Sequence, residues 1–428
     1  MANSTLLLWR YMAKILKAGH YDPTNLASVA YHFGKRGEDL PVLALLSEGA
    51  DPNASDGIGK LTALHWALTY DRPTVVKALL EAGADANCTE SRRSIPLMRA
   101  KSGEVTRLLL EAGADANARS VPFMAGIPAA STALMRAARE GRVAVAAVLL
   151  EYKADTHQRD EGGRNALMLA AQAEKSDMVR LLLEAGVEVG LVEASMLGDY
   201  DQVQRFLAAG ADLNTEETAN ALRWAAQSGN TDVVALLLDN STPIDAGDAN
   251  NRTALMQAAR FGCIATMHLL LERGADPNAT SRREGTALMA SVESGSRRNR
   301  EAVEMLLAYG ARADVRTRSG WTPLMPPCIW GDTAVVELLL RHRADPNAFT
   351  DAVAMEREVG CSTTNALMMA VGNGHVEAVK LLLQYGADPL AKNNANICAL
   401  DTARLFHGFK HAVRQQILPL LESAIARQ

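Results

Sequence analysis

The stretch Ala54-Ser55-Asp56-Gly57-Ile58-Gly59-Lys60-Leu61 comes closest to a loop that grips a phosphate. Such a loop needs glycines for close backbone approach, a Lys for charge, and a Ser or Thr hydroxyl after it to hold Mg²⁺. Leu61 stands in that last place and no long apolar run precedes the stretch, so it reads as a turn between two structural units. His407 and His411 are four apart, a spacing that sets two imidazoles on one helix face. Zinc hydrolases with that spacing carry a Glu after the first His; Gly408 is there instead, and the pair reads as packing or surface. No G-x-S-x-G turn occurs, and Cys88, Cys263, Cys328, Cys361 and Cys398 form no C-x-x-C pair. Glu216 and Glu217 are adjacent carboxylates that read as solvated loop charge. The sequence therefore assigns no catalytic, cofactor-binding or metal-ligating residue, and the expectation is a non-enzyme.

Composition narrows the remaining classes. The chain has 428 residues, 48% of them hydrophobic, with 44 basic and 49 acidic side chains for a net charge of −5. That balance argues against bulk nucleic-acid binding, which rests on a basic surface. No apolar run approaches a membrane span. An odd number of scattered cysteines fits a reducing compartment, so a cytoplasmic location is expected. Residues 1–21 hold no acid and set Arg10, Lys14 and Lys17 on one helical face. This segment reads as a capping half-repeat, with organelle targeting as the alternative.

Asp248–Asn278 forms one complete unit of two short helices. Thr253 is suited to cap a short helix, Ala254–Arg260, which Gly262 ends. Ile264–Glu272 is a second helix closed by Gly274, and Ala275–Asn278 leads into a turn. Two short helices cannot bury their apolar sides alone, so the unit requires copies beside it. The closing slot recurs at Gly49, Gly83, Gly113, Lys153, Gly186, Gly210, Ser241, Gly274, Gly310, Arg343 and Gly386. The intervals cluster about the 33-residue period of a two-helix repeat with a hairpin. Thr62-Ala63-Leu64-His65, Thr322-Pro323-Leu324 and the G-A-D-x-N phrases ending at Asn87, Asn117 and Asn278 carry a resemblance to the ankyrin repeat family along nearly the whole chain.

The resemblance implies an all-α solenoid of stacked helix-turn-helix repeats with short β-hairpin loops. The expected blocks are 1–189 and 190–428, one continuous solenoid with an irregular short repeat at 187–210. Long hairpin inserts fall at Ala118–Ser131 and Ala348–Thr364. In ankyrin repeats the His65 slot usually holds a His that bonds to the hairpin backbone. Met98, Met135, Met168, Met256, Met289, Met325 and Met368 occupy it here, so the slot is expected to be filled by packing alone.

Function is expected at a concave groove, where the resemblance places the last residues of each first helix. Tyr70, Arg139, Gln227, Arg260, Phe261, Ile329, Trp330 and Asn373 hold such positions. Trp66 and Trp224, one turn earlier, are expected inside. Trp321-Thr322-Pro323-Leu324-Met325-Pro326-Pro327-Cys328-Ile329-Trp330 breaks local helix logic, since Pro326 and Pro327 each remove a backbone donor; a distorted helix with free carbonyls is expected there. Arg318 belongs to a basic run with Arg282, Arg283, Arg297, Arg298, Arg300, Arg312 and Arg316; Arg282, Arg283 and Arg318 are expected on hairpin segments and Arg297–Arg300 at the far edge, so an acidic segment of a partner would dock near the hairpin arginines. The expected function is a scaffold, adaptor or inhibitor binding a protein partner, as a monomer or in a hetero-complex. Nucleic-acid binding through residues 282–318, or service as the targeting subunit of an enzyme, are the alternatives.

Overall fold

The computed structural model describes residues 25–55, 61–89, 95–120, 130–212, 215–282, 285–293, 299–351, 363–405 and 411–427. The N-terminal segment 1–21, Cys361 and His407 lie outside these, as do Arg283, Arg297, Arg298 and most of both hairpin inserts. The chain divides into two compact units, Met1–Glu188 and Val189–Gln428. In the first, helices pair as α1 (Leu26–Gly34) with α2 (Leu40–Ser47), α3 (Ala63–Thr69) with α4 (Pro73–Glu81), α5 (Pro96–Arg99) with α6 (Gly103–Glu111), α7 (Ala133–Glu140) with α8 (Val143–Glu151), and α9 (Ala166–Gln172) with α10 (Ser176–Glu184). In the second they pair as α11 (Leu191–Leu197) with α12 (Tyr200–Ala208), α13 (Glu216–Ser228) with α14 (Thr231–Asp239), α15 (Ala254–Phe261) with α16 (Ile264–Glu272), α17 (Ala287–Glu293) with α18 (Asn299–Ala308), α19 (Met325–Trp330) with α20 (Thr333–Arg341), α21 (Ala366–Gly372) with α22 (Val376–Gln384), and α23 (Ala399–Leu405) with α24 (His411–Ile425).

Within each unit, first helices pack on the first helices of neighbouring pairs and second helices on second helices. The reason is a leucine recurring at a fixed register in most helices. Leu64, Leu134, Leu167, Leu222, Leu255, Leu288 and Leu367 are buried in first helices, with Leu324 buried just ahead of α19, and Leu79, Leu109, Leu149, Leu182, Leu237, Leu270, Leu306, Leu339 and Leu382 in second helices. Each such side chain stabilises by about 1.5–3 kcal/mol when fully removed from water. A pair standing alone would expose one side of that row, so every pair depends on its neighbours.

Helix ends follow the expected chemistry. Thr132, Asn165, Thr253 and Asn365 accept from the backbone N–H of Met135, Met168, Met256 and Met368, satisfying a donor that has no partner within the helix. The closing slot is left-handed throughout, even at Lys153 (φ 59°), Ser241 (φ 70°) and Arg343 (φ 66°). No strand occurs among the described residues; the hairpins hold isolated bridges, Ser55 with Thr62 and Phe349 with Asn365.

Three local expectations change. Glu216 and Glu217 do not lie in a loop but form the first turn of α13, where negative charge suits the helix dipole. The methionine slot is buried at Met98, Met135, Met168, Met256, Met289, Met325 and Met368. It is nevertheless not packing alone, for the Thr132 N–H lies 3.4 Å from Met135 Sδ, a weak acceptor standing in for the imidazole. The double proline does not break a helix either. Helix α19 starts only at Met325, so Pro326 and Pro327 fall in its first turn, where a missing N–H costs nothing. The carbonyls expected to be free are engaged. Asp332 N–H donates to Pro327 O at 3.0 Å, and His375 Nε2 to Ile329 O at 2.9 Å.

Candidate protein-binding surface

The last residues of the first helices differ sharply in what they touch. Tyr70 is half-buried, stacked on Trp66 with ring centroids 6.1 Å apart, while Trp66 meets Tyr31 at 4.5 Å. The Tyr70 ring also covers Gly34 so closely that a Cβ there would sit 2.7 Å from it. Tyr70 therefore packs α3 against α1. Trp224 is buried, whereas Trp66, expected inside, is only half-buried.

Phe261 and Trp330 are different. They end α15 and α19 and are 44% and 60% exposed, with α17 standing between those helices. An apolar residue left in water at this level has no packing role to explain it. Arg260 beside Phe261 is exposed. Ile329 is half-buried, with its carbonyl held by His375. Arg139 and Gln227 are half-buried, and Gln227 O accepts from Cys263 Sγ at 3.4 Å. Asn373 is exposed and its amide donates back to Met369 O at 2.9 Å. Trp321 is half-buried at the base of a hairpin, where its N–H meets Thr317 Oγ1 at 3.1 Å.

The arginines divide between surfaces. Arg300 pairs with Glu304 at 2.8 Å along α18, Arg312 lies 3.5 Å from Asp314, and Arg316 donates to Phe349 O. Arg282 and Arg318, from successive hairpins, line one cleft.

Two rows of hydrogen bonds fix the pairs that carry these residues. After the left-handed residue between two helices, Arg72, Arg142, Asn230, Cys263 or His375 donates to a backbone carbonyl of the preceding pair: Gly37 O, Ala100 O, Ser195 and Met196 O, Gln227 O and Ile329 O. These bonds satisfy carbonyls at or near the ends of first helices. At the other edge, the Asn that ends several of the A-D-x-N phrases bridges forward. Asn53, Asn87, Asn278 and Asn347 donate to Gly83, Gly113, Gly310 and Gly386 O, and the same side chains accept from Asp85, Asp115, Arg312 and Asp388 N–H. The first row was not read from sequence. Its only signal is a donor-bearing residue just after the inter-helix turn.

A charged group missed in the sequence is Arg223. It occupies the methionine slot of α13, almost wholly buried, with Nη1 3.5 Å from Asp248 Oδ2. Arg252 Nη2 meets the same oxygen at 2.7 Å. Burial alone would raise the Asp248 carboxyl, but the hydrogen bonds from Arg252 and the charges of Arg252 and Arg223 hold it below the ordinary carboxylate range. Burial pulls the Arg223 guanidinium down, against the charge of Asp248.

Among the described residues no group of three His, Cys, Asp or Glu side chains is placed to hold a metal, and burial pushes the Cys328 thiol far up. No helix there is long and apolar enough to cross a membrane.

Helix pairs in register, the Asn bridges and the left-handed closing slots define a class of repeat protein, and comparison with known sequences identifies it. Residues 30–120, 125–193, 191–281 and 280–350 each match the family described as ankyrin repeats (3 copies), and 364–394 matches the single ankyrin repeat. The chain belongs to the ankyrin repeat family. It is 34% identical over 165 residues to the ankyrin repeat and KH domain-containing protein mask-1 of Caenorhabditis elegans, covering 38% of this chain and 6% of that protein. It is 30% identical over 295 residues to an ankyrin repeat and KH domain-containing protein of Caenorhabditis briggsae, covering 60% of this chain and 10% of the other. The chain thus spans a small part of the length of these relatives. Among solved structures, an ankyrin repeat domain from Acinetobacter baumannii AYE aligns with 47% of this chain and 96% of its own, at 27% identity and a TM-score of 0.41. Ankyrin repeats generally mediate protein–protein interaction and are not in general catalytic modules.

Proposed function

We propose that this chain is a non-catalytic scaffold, adaptor or inhibitor that binds a protein partner through the ends of its first helices and its hairpin tips. The observation that carries this reading is the exposure of Phe261 and Trp330 at the same register of α15 and α19, 44% and 60% respectively. Large exposed aromatics beside an arginine are the usual anchors of a protein interface. Arg260, Ile329 and Asn373 extend this surface, with Arg318 and Trp321 on the hairpin side. Tyr70, Arg139 and Gln227 hold the corresponding positions in other pairs. The two rows of inter-pair hydrogen bonds hold these side chains in place before binding, so little ordering entropy is lost on association. A partner with an acidic segment suits the hairpin arginines. A reducing compartment such as the cytoplasm fits the absence of a disulfide at Cys88, Cys263, Cys328 and Cys398.

The test is an affinity capture of partners from the native source, followed by titration of a purified partner against the wild-type chain and the Phe261→Ala/Trp330→Ala variant. Truncating two such anchors is expected to weaken binding by about 2–4 kcal/mol, with the far-ultraviolet helical spectrum unchanged. Unaltered affinity would remove these residues from the interface.

A further inference from the structure

At two turns a carboxyl stands where Asn53, Asn87, Asn278 and Asn347 carry their bridging amide: Asp245 after α14 and Asp314 after α18. Asp314 is 54% exposed and lies 3.5 Å from Arg312 Nε. Asp245 is half-buried, and the charge that acts on it is that of Asp276, of like sign. We infer that Asp245 is a pH-sensitive latch between the pairs α13–α14 and α15–α16: protonated, it donates to Gly274 O and completes the bridge; ionised, it leaves the bridge half made. The inference concerns the response of the stack to acid and needs no partner, so it stands apart from the protein-binding reading above.

Each of the four asparagines makes two bonds at once. Its Nδ2 donates to the carbonyl of the next closing glycine at 2.9–3.0 Å, and its Oδ1 accepts the N–H two residues further on at 2.8–2.9 Å. An ionised carboxyl only accepts, so Asp245 can make the second bond and not the first. Both its oxygens stand 3.2 Å from the Asp276 nitrogen. The group thus straddles that N–H, and each bond is longer than those the four amides make. A proton changes the chemistry of the group. A carboxylic acid carries one O–H beside an accepting oxygen, the same donor–acceptor pair as an amide. Turning that pair into place uses the torsion about Cβ–Cγ, which is soft in Asp.

The charged groups around the latch come from three turns. Asp276, on the next turn, accepts from the Asn278 N–H at 2.8 Å. Arg273, beside Gly274, is held by Asp239 at 2.7 Å. The corresponding turn before carries Asp212, whose carbonyl accepts from Thr218 Oγ1 at 2.7 Å. Burial raises the Asp245 carboxyl, the Asp276 N–H lowers it and the Asp276 charge raises it, which leaves it above its ordinary value. Three residues along the same hairpin, Asp248 is raised by burial but carried below its ordinary value by Arg252 and Arg223. In mild acid Asp245 is therefore protonated while Asp248 stays ionised, and both hold the hairpin. With its folded value above the unfolded one, Asp245 contributes its full bridge below the unfolded value and loses it as pH rises through the folded value.

Hydrogen exchange followed by mass spectrometry tests the latch on the full chain, with each rate divided by that of the unfolded chain at the same pH. In the wild type, protection of the backbone around Gly274 and Asp276 should rise roughly fivefold between about pH 7 and about pH 4, the worth of one hydrogen bond. The segment around Gly83 and Asp85, where Asn53 makes the bridge, should show no such rise. Asp245→Asn should already have the higher protection at neutral pH and gain nothing on acidification. Asp245→Ala, which neither donates nor accepts, should also show no gain. A rise that persists in Asp245→Asn, or an Asp245→Asn chain no better protected than wild type at neutral pH, would overturn the inference. The neutral comparison needs no acid, so it decides the matter even if the chain unfolds at the lower pH.

Discussion

Arg223 shows how one substitution in a repeated slot changes what that slot does. Most of its equivalents are buried methionines, and one is His65, whose Nδ1 accepts from the Thr62 N–H at 3.3 Å. A buried guanidinium needs an anion, and Asp248 on the next hairpin supplies it. The pair thereby ties a helix to the wall of the cleft. Asp248→Asn is expected to cost on the order of 2 kcal/mol at neutral pH, since it removes the charge opposite a buried guanidinium. The folded Asp248 carboxyl titrates below its unfolded value, so its contribution is complete above the ordinary carboxylate range and is lost as pH falls through the lower, folded value. Denaturant unfolding of both chains across acid pH should show the gap closing toward low pH. A gap independent of pH would mean that the loss is one of packing. The exposed Phe261 and Trp330 belong to this scale too: their value lies in binding, and their removal should leave stability nearly unchanged.

At the scale of the element, the helix pair is punctuated by a left-handed position after its second helix and, in most of the described pairs, by another between its helices. The first is kept whatever residue occupies it. Arg343 sits at φ 66° in a slot where most pairs have glycine, so Arg343→Gly is expected to raise stability by about 1 kcal/mol by relieving the Cβ clash. Gly331 is the opposite case. At φ 76°, a Cβ would stand 2.4 Å from His375 Nδ1, displacing the imidazole that holds Ile329 O. Gly331→Ala should lower stability by about 2 kcal/mol. Thermal unfolding of the two variants should move in opposite directions from wild type; a shared direction would count against the left-handed requirement. The short helix α19 shows the same economy, because starting it at Met325 places both prolines where no intrahelical donor is needed.

At the scale of the whole molecule, stability within each compact unit is the sum of pairs and of interfaces between neighbours. Damage to one interface should therefore spread only to adjacent pairs. Leu255→Ala, in the buried row of α15, is expected to cost about 2–5 kcal/mol and to speed amide exchange in α13 through α18 while α1 to α4 keep wild-type protection. Exchange raised evenly along the chain would show cooperativity beyond neighbours. The repeat and its register were legible in the sequence because both follow from local chemistry. Thr253 caps, Gly262 and Gly274 turn left-handed, and leucines spaced for one helix face must be buried. The ankyrin stack and the aromatic positions Phe261 and Trp330 followed from that register. What a residue meets across the interval to the next pair is not local. Tyr70 shares the register of Phe261 and Trp330, yet packs onto Gly34, whereas Trp330 faces water. His375 reaches a carbonyl of Ile329, and Arg223 finds Asp248 on another turn. Those distances are set by how neighbouring pairs stack, so only the tertiary structure decided which side chains became mortar and which were left as surface.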